Sequence, residues 1–337
     1  MFSDSVSRRG LGLRELDVQG SHVFPDGDLL VNVEYAGAVR MNSCGEVRWA
    51  LPAGNHHSIE RADDGSFWIP GVTRTARRGS PGHPRGFPGL GRPVYQDLML
   101  RVSADGEVLQ SINLLDVLYE NGLVRQLVRS NFGYGPDVTH LNDIQPLPDS
   151  LADEYPMFEA GDLAVSLKYE NLVMVVDPET EEVKWHASEP FIRQHDPDWM
   201  GDGWIGVFDN NQDGTARGRL LGGSRIVALR PRTDSLRVIF PTERSDPFYT
   251  SVRGKWQELE NGNLLLTESG AGRVVEVAPD GRSVWEWVVA PYDSTHVPYV
   301  SRGARLELSR EQVAAWPCSS TRTAASRKNS AAATSGM

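Results

Sequence analysis

The chain has 337 residues, and 34 Lys and Arg against 45 Asp and Glu give a formal net charge of −11. Its length suits one large domain or two medium ones, and its negative charge argues against a nucleic-acid surface, which needs clustered cations. Apolar runs such as 172–176 fall far short of the ~20 residues of a spanning helix, so no membrane span is expected. Two cysteines, Cys44 and Cys318, exclude a disulfide framework and a Cys-rich zinc site. Whether they pair is left open.

The first residues, Met1 to Arg9, contain no apolar run, which excludes a secretory signal peptide at this position. Either the protein is cytosolic or the chain lacks its natural beginning, so the compartment is left open. Residues 1–15 are expected to be a disordered or truncated segment.

Two short patterns then alternate along the chain. In one, an acidic or amide residue and Gly precede an apolar segment, at 25–31, 63–69, 202–208 and 260–266. In the other, a turn precedes a segment that often ends in Trp, at 44–49, 105–109, 178–185 and 279–285. Asp-Gly and Asn-Gly favour the tight turns of antiparallel hairpins. Their spacing predicts an all-β fold, a β-propeller of four-stranded antiparallel blades, whereas an ordinary β-sandwich with the same turns is the alternative.

The propeller is expected to span residues 16–300. Residues 113–128 show apolar side chains near a 3.6-residue period and are predicted to be helical, with a weaker helical pattern over 300–316. Residues 301–318 are expected to form a C-terminal extension. Residues 319–337 are rich in Ser, Ala and Thr, lack core-forming side chains and are predicted to be a disordered tail.

Three histidines stand at comparable places in separate repeats, namely His57, His140 and His195. If each repeat is one blade, each histidine begins an inner strand, and the three side chains meet at one end of the central channel. No Gly-x-Ser-x-Gly elbow, phosphate-binding loop or closely spaced carboxylate pair accompanies them. The remaining interpretation is a site that holds an anion, with one neutral imidazole as nucleophile and another as proton donor.

Metal binding is an alternative for these residues. Three histidines are a zinc ligand set in other proteins, although the sequence contains no pair of histidines four residues apart to favour it. Residues 209–214 match the opening of a calcium-binding loop, but Leu220 stands at the twelfth position, where such a loop has Glu. A polar turn is therefore the favoured interpretation of that run, and no metal is expected.

Several elements, in their order, resemble the arylsulfotransferase family. They are Gln194-His195-Asp196-Pro197-Asp198, Val207-Phe208-Asp209-Asn210, Ser224-Arg225-Ile226-Val227, His140-Leu141-Asn142-Asp143, the run 165–172, and the stretch from Glu258 to Trp287. The resemblance covers about residues 20–300. It implies a six-bladed propeller, which is either complete in this chain or incomplete at the N-terminus because the repeats begin directly at Val18.

The resemblance further implies transfer of a sulfuryl group from a phenolic sulfate ester to a phenol, by a ping-pong reaction through a sulfohistidine. No nucleotide donor, cofactor or nucleic acid takes part, and the partners are these two small molecules. His195 resembles the nucleophile, and His57 a second active-site histidine. His140 and Asn142 resemble groups that bind the sulfate and assist the leaving phenol. Lys168 stands where the family usually has Arg and, with Asn171 in the same element, is a predicted substrate contact.

The resemblance also bears on the compartment, because members of the family are often exported to the periplasm or cell envelope. Two rival functions remain. Turns such as Gly45-Glu46-Val47-Arg48-Trp49 also occur in quinoprotein propellers, which are redox enzymes with a bound chromophore. A propeller that only scaffolds partner proteins is the other rival, and it predicts that the three histidines lie far apart.

Overall fold

Twenty strands follow one another in the part of the chain that the computed structural model describes, which is residues 17–125, 127, 135–291, 293 and 297–318. They form five antiparallel sheets of four strands, each built from consecutive strands. The predicted propeller of four-stranded blades is thereby confirmed. The segment 1–15, the tail 319–337 and the end of the predicted helix 113–128 lie outside the described residues.

The strands divide evenly among the blades. Blade 1 contains β1 (Val18–Val23), β2 (Leu29–Val33), β3 (Gly37–Met41) and β4 (Val47–Leu51). Blade 2 contains β5 (Glu60–Arg61), β6 (Phe67–Val72), β7 (Asp97–Val102) and β8 (Val108–Asn113). Blade 3 contains β9 (Leu141–Pro146), β10 (Leu163–Leu167), β11 (Leu172–Val176) and β12 (Val183–Ala187). Blade 4 contains β13 (His195–Gly201), β14 (Trp204–Asp209), β15 (Arg225–Arg230) and β16 (Ser235–Phe240). Blade 5 contains β17 (Trp256–Glu258), β18 (Leu264–Glu268), β19 (Arg273–Val277) and β20 (Ser283–Val288).

The expected number of blades, six, is wrong, because the described residues between 17 and 318 provide five. The segment after β20 contains no strand among its described residues, and two of its backbone amides bond to side chains of blade 5. Gly303 N donates to Thr267 Oγ1 at 2.9 Å, and Arg305 N donates to Gln257 Oε1 at 2.8 Å. A sheet needs a continuous ladder of backbone pairs, and this segment does not supply one.

The hairpin turns explain where the strands begin. Gly27, Gly65 and Gly262 follow Asp or Asn in the predicted turns and have φ of 87°, 84° and 77°, a backbone region that glycine enters without steric cost. Trp49, near the end of blade 1, packs against blade 2, where its Nε1 donates to Ala104 O at 2.8 Å. A Cβ on Gly106 would lie 2.6 Å from the Trp49 ring, so this contact requires glycine.

Two α-helices are described from end to end, one between blades 2 and 3 and one after the last strand. The first, α1 (Leu114–Glu120), begins at Asn113, whose side chain accepts a hydrogen bond from Leu115 N, and it buries the apolar face that the sequence pattern predicts. The second, α2 (Arg310–Ala315), covers only the end of the weaker pattern over 300–316. Short 3₁₀ turns lie at Ala152–Glu154 and Ser269–Ala271. None of the helices in the described ranges combines the length and apolar character that a bilayer crossing requires.

The core lies between neighbouring blades. All five residues of β10 and all five of β11 are buried, and each buried Val or Leu side chain contributes roughly 1.5–3 kcal/mol relative to exposure. The first strands of the central blades touch, β5 against β9 and β9 against β13, so they line the axis of the ring. Because strands alternate in direction, the segments before each first strand and the loops after each second strand lie at one end of the ring, which we call the site end.

The segment after blade 5 returns to blade 1. Cys318 forms a disulfide with Cys44 in the β3–β4 turn, over a sequence separation of 274. Trp316 Nε1 donates to Pro25 O at 3.0 Å, and Ser43 Oγ donates to Pro317 O at 2.8 Å. These contacts join the C-terminal segment to the first blade. Among the described strands, no backbone pairing joins blade 5 to blade 1. The sequence left the pairing of the two cysteines open.

Candidate active site

Three histidine rings meet at the site end. The ring centroid of His57 lies 5.1 Å from that of His140 and 6.2 Å from that of His195. His195 is the first residue of β13, His140 directly precedes β9, and His57 lies three residues before β5. The expected convergence of the three histidines on one channel end is therefore what the structure shows. The distant imidazoles that a non-catalytic scaffold predicts are not found.

His195 is held by one ring nitrogen and presents the other. Its Nδ1 lies 2.6 Å from Asn210 Oδ1 and 3.0 Å from Arg193 O. The Asn210 amide is oriented by its own Nδ2, which donates to Thr250 O and Arg253 O at 2.9 and 2.8 Å. Since both neighbours of Nδ1 are acceptors, Nδ1 carries the proton and Nε2 carries a lone pair. Among the described residues, no hydrogen-bond partner meets the buried Nε2.

Burial keeps this imidazole neutral. The pKa of His195 is lowered well below its ordinary value by burial and, next, by the charge of Lys168, although the hydrogen bond to Asn210 opposes the shift. The pKa of His57 is lowered well below its usual range by burial and then by the neighbouring His56 and His140. A neutral imidazole with a free Nε2 is the nucleophilic form of histidine.

His140 is backed by a carboxylate and an aromatic ring. Its Nδ1 lies 2.6 Å from Asp137 Oδ2, and its ring centroid lies 4.7 Å from that of Tyr169. Asp137 therefore orients the ring, and Nε2 is the nitrogen left to face the centre of the site. The backbone is left-handed at His140 and at His57, with φ of 54° and 56°. Such a conformation is uncommon outside glycine and concentrates at functional sites.

Asn142 and Lys168 complete the polar lining. Asn142 is fully buried, its Nδ2 donates to Gln194 O at 2.8 Å, and its Oδ1 meets no partner in the described part of the chain. Lys168 follows β10, and its backbone N donates to His140 O at 3.2 Å. Burial, and then the charge of Arg193, lowers the pKa of Lys168 to about 8. The site thus contains one cation whose charge changes near neutral pH.

The side chain of Asn171 bonds to the protein backbone, whereas its predicted role is to contact the substrate. Its Oδ1 accepts a hydrogen bond from Arg193 N at 2.9 Å, which fixes the turn that leads into His195. Its contact with substrate stays a prediction. The Arg193 guanidinium carbon lies 4.9 Å from the ring centroid of Tyr169, so a second cation borders the same site.

A second buried cluster lies on the axis. Oxygens of Glu60, Asp143 and Asp196 lie within 4.8 Å of one another, and among the described residues these atoms, not the three histidines, form a metal-ligand grouping. Protein cations stand among them, because Lys255 Nζ lies 3.0 Å from Asp196 Oδ1 and Arg302 lies 3.1 Å from Glu60 Oε1. Burial still raises the pKa of Asp143 to about 7.

The predicted calcium-like run, 209–214, forms a turn held by protein groups. Asp213 accepts hydrogen bonds from the backbone amides of Thr215 and Leu220, and Asp209 accepts one from Ile192 N. Asn211 Nδ2 donates to two backbone carbonyls. These side chains thus bond to backbone groups of the protein, in agreement with the favoured interpretation of a polar turn.

Four residues of the site were not singled out from the sequence, namely His56, Asp97, Asp137 and Asn210. The sequence could have indicated His56 and Asp137 as site residues, because each lies within three positions of a predicted histidine. Asn210 belongs to an element that carried the family resemblance. Asp97 opens β7 after a long loop, and its approach to His56 is a product of the tertiary structure alone.

Solved structures share the fold at low identity. A protein of unknown function from Bacteroides caccae is 14% identical, with a TM-score of 0.54 and 82% of each chain covered. Virginiamycin B lyase from Staphylococcus aureus is 12% identical, with a TM-score of 0.45, 82% of this chain covered and 71% of its own. At these identities the first likeness shows the fold alone. No match to a curated protein reaches significance.

A family model does match the sequence. The model of the Arylsulfotransferase (ASST) family aligns with residues 21–290. The match runs from β1 past the end of β20 and includes all three histidines, Asn142, Lys168 and Asn210. Because it covers well over half of the 337 residues, the chain belongs to the arylsulfotransferase family.

Proposed function

We propose that this protein transfers a sulfuryl group from a phenolic sulfate ester to a phenol through a sulfohistidine on His195. The observation that carries the proposal is the state of His195. Its Nδ1 is pinned by Asn210 Oδ1 at 2.6 Å, and its buried Nε2 is without a protein partner in the described residues. Family membership supports arylsulfotransferase chemistry in general.

Binding comes first in this proposal. In this proposal Lys168, Asn142 and His140 bind the three sulfate oxygens, and Asn171 stays a predicted substrate contact. Charged donors and amides form the strongest hydrogen bonds with anionic oxygens. Lys168 offers a single point charge, whereas the Arg that is usual in the family would offer a planar guanidinium with two parallel donors. In this proposal, sulfate is therefore bound without a bidentate guanidinium at that position.

The transfer then proceeds in two steps. His195 Nε2 attacks sulfur, an N–S bond forms, and the S–O bond to the aryl oxygen breaks, with its electron pair leaving on the phenolate. His140 or His57, in its protonated form, supplies the proton that the phenolate takes up. An acceptor phenol then gives its proton to the same group, attacks sulfur and returns the electron pair to Nε2. As in phosphoryl transfer, positioning and charge stabilisation supply most of the catalysis.

The test is the variant His195→Asn, assayed for release of p-nitrophenolate from p-nitrophenyl sulfate in the presence of phenol. We expect turnover to be abolished, and we expect mass spectrometry of the unaltered protein to find an SO₃ adduct on His195 when donor alone is present. The exposed His186 on β12 provides a matched control, because His186→Asn should retain both activity and adduct. Turnover that survives His195→Asn would show that another group is the nucleophile.

A further inference from the structure

A second histidine and a carboxylate stand behind His57. His56 Nδ1 lies 2.8 Å from His57 Nδ1, and His56 Nε2 lies 3.6 Å from Asp97 Oδ1. All three side chains are nearly inaccessible to solvent, at 6% or less exposed. They form a line from the body of blade 2 to the centre of the site, although His56 and Asp97 have no part in the reaction as proposed above.

The line has a direction that its hydrogen bonds fix. Asp97 Oδ2 accepts from Thr139 Oγ1 at 2.5 Å and from Leu141 N at 2.8 Å, which leaves Oδ1 to face His56. Although burial raises it, the pKa of Asp97 is lowered overall by the neighbouring His56 and by hydrogen bonds from Thr139 and Leu141. His56 Nε2, at 3.6 Å, is beyond hydrogen-bond distance of this carboxylate and meets no other hydrogen-bond partner in the described residues. The negative charge still favours a proton on Nε2, the nitrogen that faces it, and a lone pair on Nδ1.

The tautomer of His57 follows from that of His56. Because His56 Nδ1 is an acceptor, the short contact between the two rings requires that His57 Nδ1 carries the proton. His57 Nε2 then holds a lone pair, and it is the nitrogen left for the centre of the site, where the His140 and His195 rings lie. When His57 takes up a second proton, its charge is stabilised through His56 by Asp97, as an imidazolium is by the buried carboxylate of a catalytic triad.

We propose that His56 and Asp97 are positioning residues that hold His57 as the base for the acceptor phenol. The inference rests on the proposed function and deepens it, because it selects His57 over His140 for this step. In the step, the phenol O–H bond breaks, its proton goes to His57 Nε2, and the oxygen forms a bond to sulfur. The N–S bond breaks, and its electron pair returns to His195 Nε2. No other reactant is needed.

Loss of His56 or Asp97 should slow the two half-reactions to different extents. p-Nitrophenolate is a weak base and leaves without a proton, so sulfation of His195 by p-nitrophenyl sulfate needs no help from His57. Phenol itself has a pKa of about 10, as the Tyr side chain does, and remains protonated at pH 8. Transfer from His195 to phenol therefore needs a base, and general base catalysis contributes roughly 100-fold or more to such a step.

The experiment is rapid-mixing kinetics on the full chain at pH 8 with His56→Leu, His56→Asn and Asp97→Asn. The burst of p-nitrophenolate reports sulfation of His195, and its decay with phenol reports transfer. For His56→Leu we expect transfer to phenol to slow by about 100-fold and the burst to change less than about 3-fold. Asn places its oxygen near the position of the His Nδ1, so His56→Asn should recover part of the loss.

Two controls separate this role from a purely structural one. Gln96→Leu removes buried hydrogen bonds with Gly79 O and Asn113 beside Asp97 without touching Asp97 or His56, and it should affect the two half-reactions alike. p-Nitrophenol as acceptor is already ionised at pH 8, so the reverse transfer to it should be equally fast in His56→Leu and in the unaltered protein. A structural defect would slow both acceptors together.

Each outcome is decisive. A selective loss of transfer to phenol, rescued in part by His56→Asn and absent with p-nitrophenol, supports the pair as positioning residues. If the His56 variants slow both half-reactions equally or slow neither, the inference is wrong while sulfation of His195 still stands. If the unaltered protein shows neither a burst nor an adduct on His195, the proposed function itself is wrong, and the inference falls with it. Asp97→Asn provides the same comparison should His56→Leu fail to fold.

Discussion

Arg302, which lies beyond the last blade, forms an ion pair with Asp143 of β9 on the axis of the ring, across 159 positions of the chain. Its guanidinium also lies 3.1 Å from Glu60 and 3.4 Å from Asp196. Carboxylates from three blades thus share one cation that none of the blades supplies. The C-terminal segment is therefore part of the electrostatic core of the propeller.

Replacing that cation should destabilise the protein strongly. Arg302→Gln leaves the buried Asp143 without its cation, although Lys255 still pairs with Asp196, and breaking a buried pair costs about 3–5 kcal/mol of the free energy of unfolding. Urea denaturation followed by Trp fluorescence measures the loss. Arg305→Gln is the matched control, because Arg305 is 45% exposed and its partner Glu276 keeps hydrogen bonds from Asn261 and Asn263, so that loss of this pair should cost about 0–1 kcal/mol. Equal losses in the two variants would contradict the axial role.

The Arg302→Gln defect should also depend on pH. Asp143 has a pKa raised to about 7 from 3.8 by burial, even with Arg302 lowering it. The folded state therefore binds more protons than the unfolded state over that range, and stability falls as pH rises through it. Without Arg302 the folded-state pKa rises further, so the deficit should widen from pH 5 to pH 8. A deficit that is constant with pH would show that Asp143 is not the group left unpaired.

Reducing the disulfide between Cys44 and Cys318 should lower Tm without unfolding the ring. A cross-link over 274 positions stabilises by at most about 5 kcal/mol through the unfolded state, and the contact of Trp316 with Pro25 remains after reduction. Thermal unfolding with and without dithiothreitol measures the effect. Cys44→Ser and Cys318→Ser should both match the reduced protein and no longer respond to dithiothreitol.

The sequence predicts the blades well because their turns are local. An Asp-Gly or Asn-Gly pair favours a positive φ at its glycine without help from the rest of the fold. The apolar segment that follows continues as a strand, so the starts of β2, β6 and β18 are determined by a few neighbouring residues. The three histidines are predictable from the same regularity, since equivalent places in consecutive blades converge on one axis. Features that repeat along the chain are therefore accessible from the sequence.

The features that do not repeat were missed. The number of blades depends on the segment after β20, and the turn chemistry does not distinguish a sixth blade from a segment that crosses to the axis. Arg302 gives no local sign that it reaches Asp143, and Asp97 is separated from His56 by forty residues and a long loop. Such pairs are created by the closure of the ring, and their energies depend on burial that a single sequence does not display.

Lys168 should give the donor half-reaction an alkaline limit. Its pKa is lowered to about 8, first by burial and then by Arg193, and only its protonated form attracts the sulfate. We expect kcat/KM for p-nitrophenyl sulfate to fall as pH rises above about 8. Lys168→Arg should remove this limit, because Arg stays charged at every accessible pH, and Lys168→Met should lower kcat/KM by about 100-fold at pH 7. An unchanged alkaline limit in Lys168→Arg would assign it to another group.

Asn210 should control the reactivity of His195 without touching the substrate. Its amide is fixed by two backbone carbonyls, so its Oδ1, at 2.6 Å, is the nearer of the two acceptors that keep the proton of His195 on Nδ1, the other being Arg193 O at 3.0 Å. Asn210→Leu removes that acceptor, and we expect the p-nitrophenolate burst to slow by about 100-fold, since a histidine in the wrong tautomer loses its nucleophilic nitrogen. Asn211→Ala is the matched control, because Asn211 holds the same loop but does not contact His195.

Asn210→Asp should separate orientation from charge. The carboxylate still accepts from Nδ1, but its negative charge raises the pKa of His195, which burial holds well below its ordinary value in the unaltered protein. Protonation of Nε2 removes the attacking lone pair, so the burst should persist at pH 8 and decline as pH falls toward 6, while the unaltered protein changes little over that range. If Asn210→Asp shows no acidic decline, or Asn210→Leu keeps the full burst, the tautomer of His195 is not set by this hydrogen bond, and the assignment of Nε2 as the nucleophile loses its structural basis.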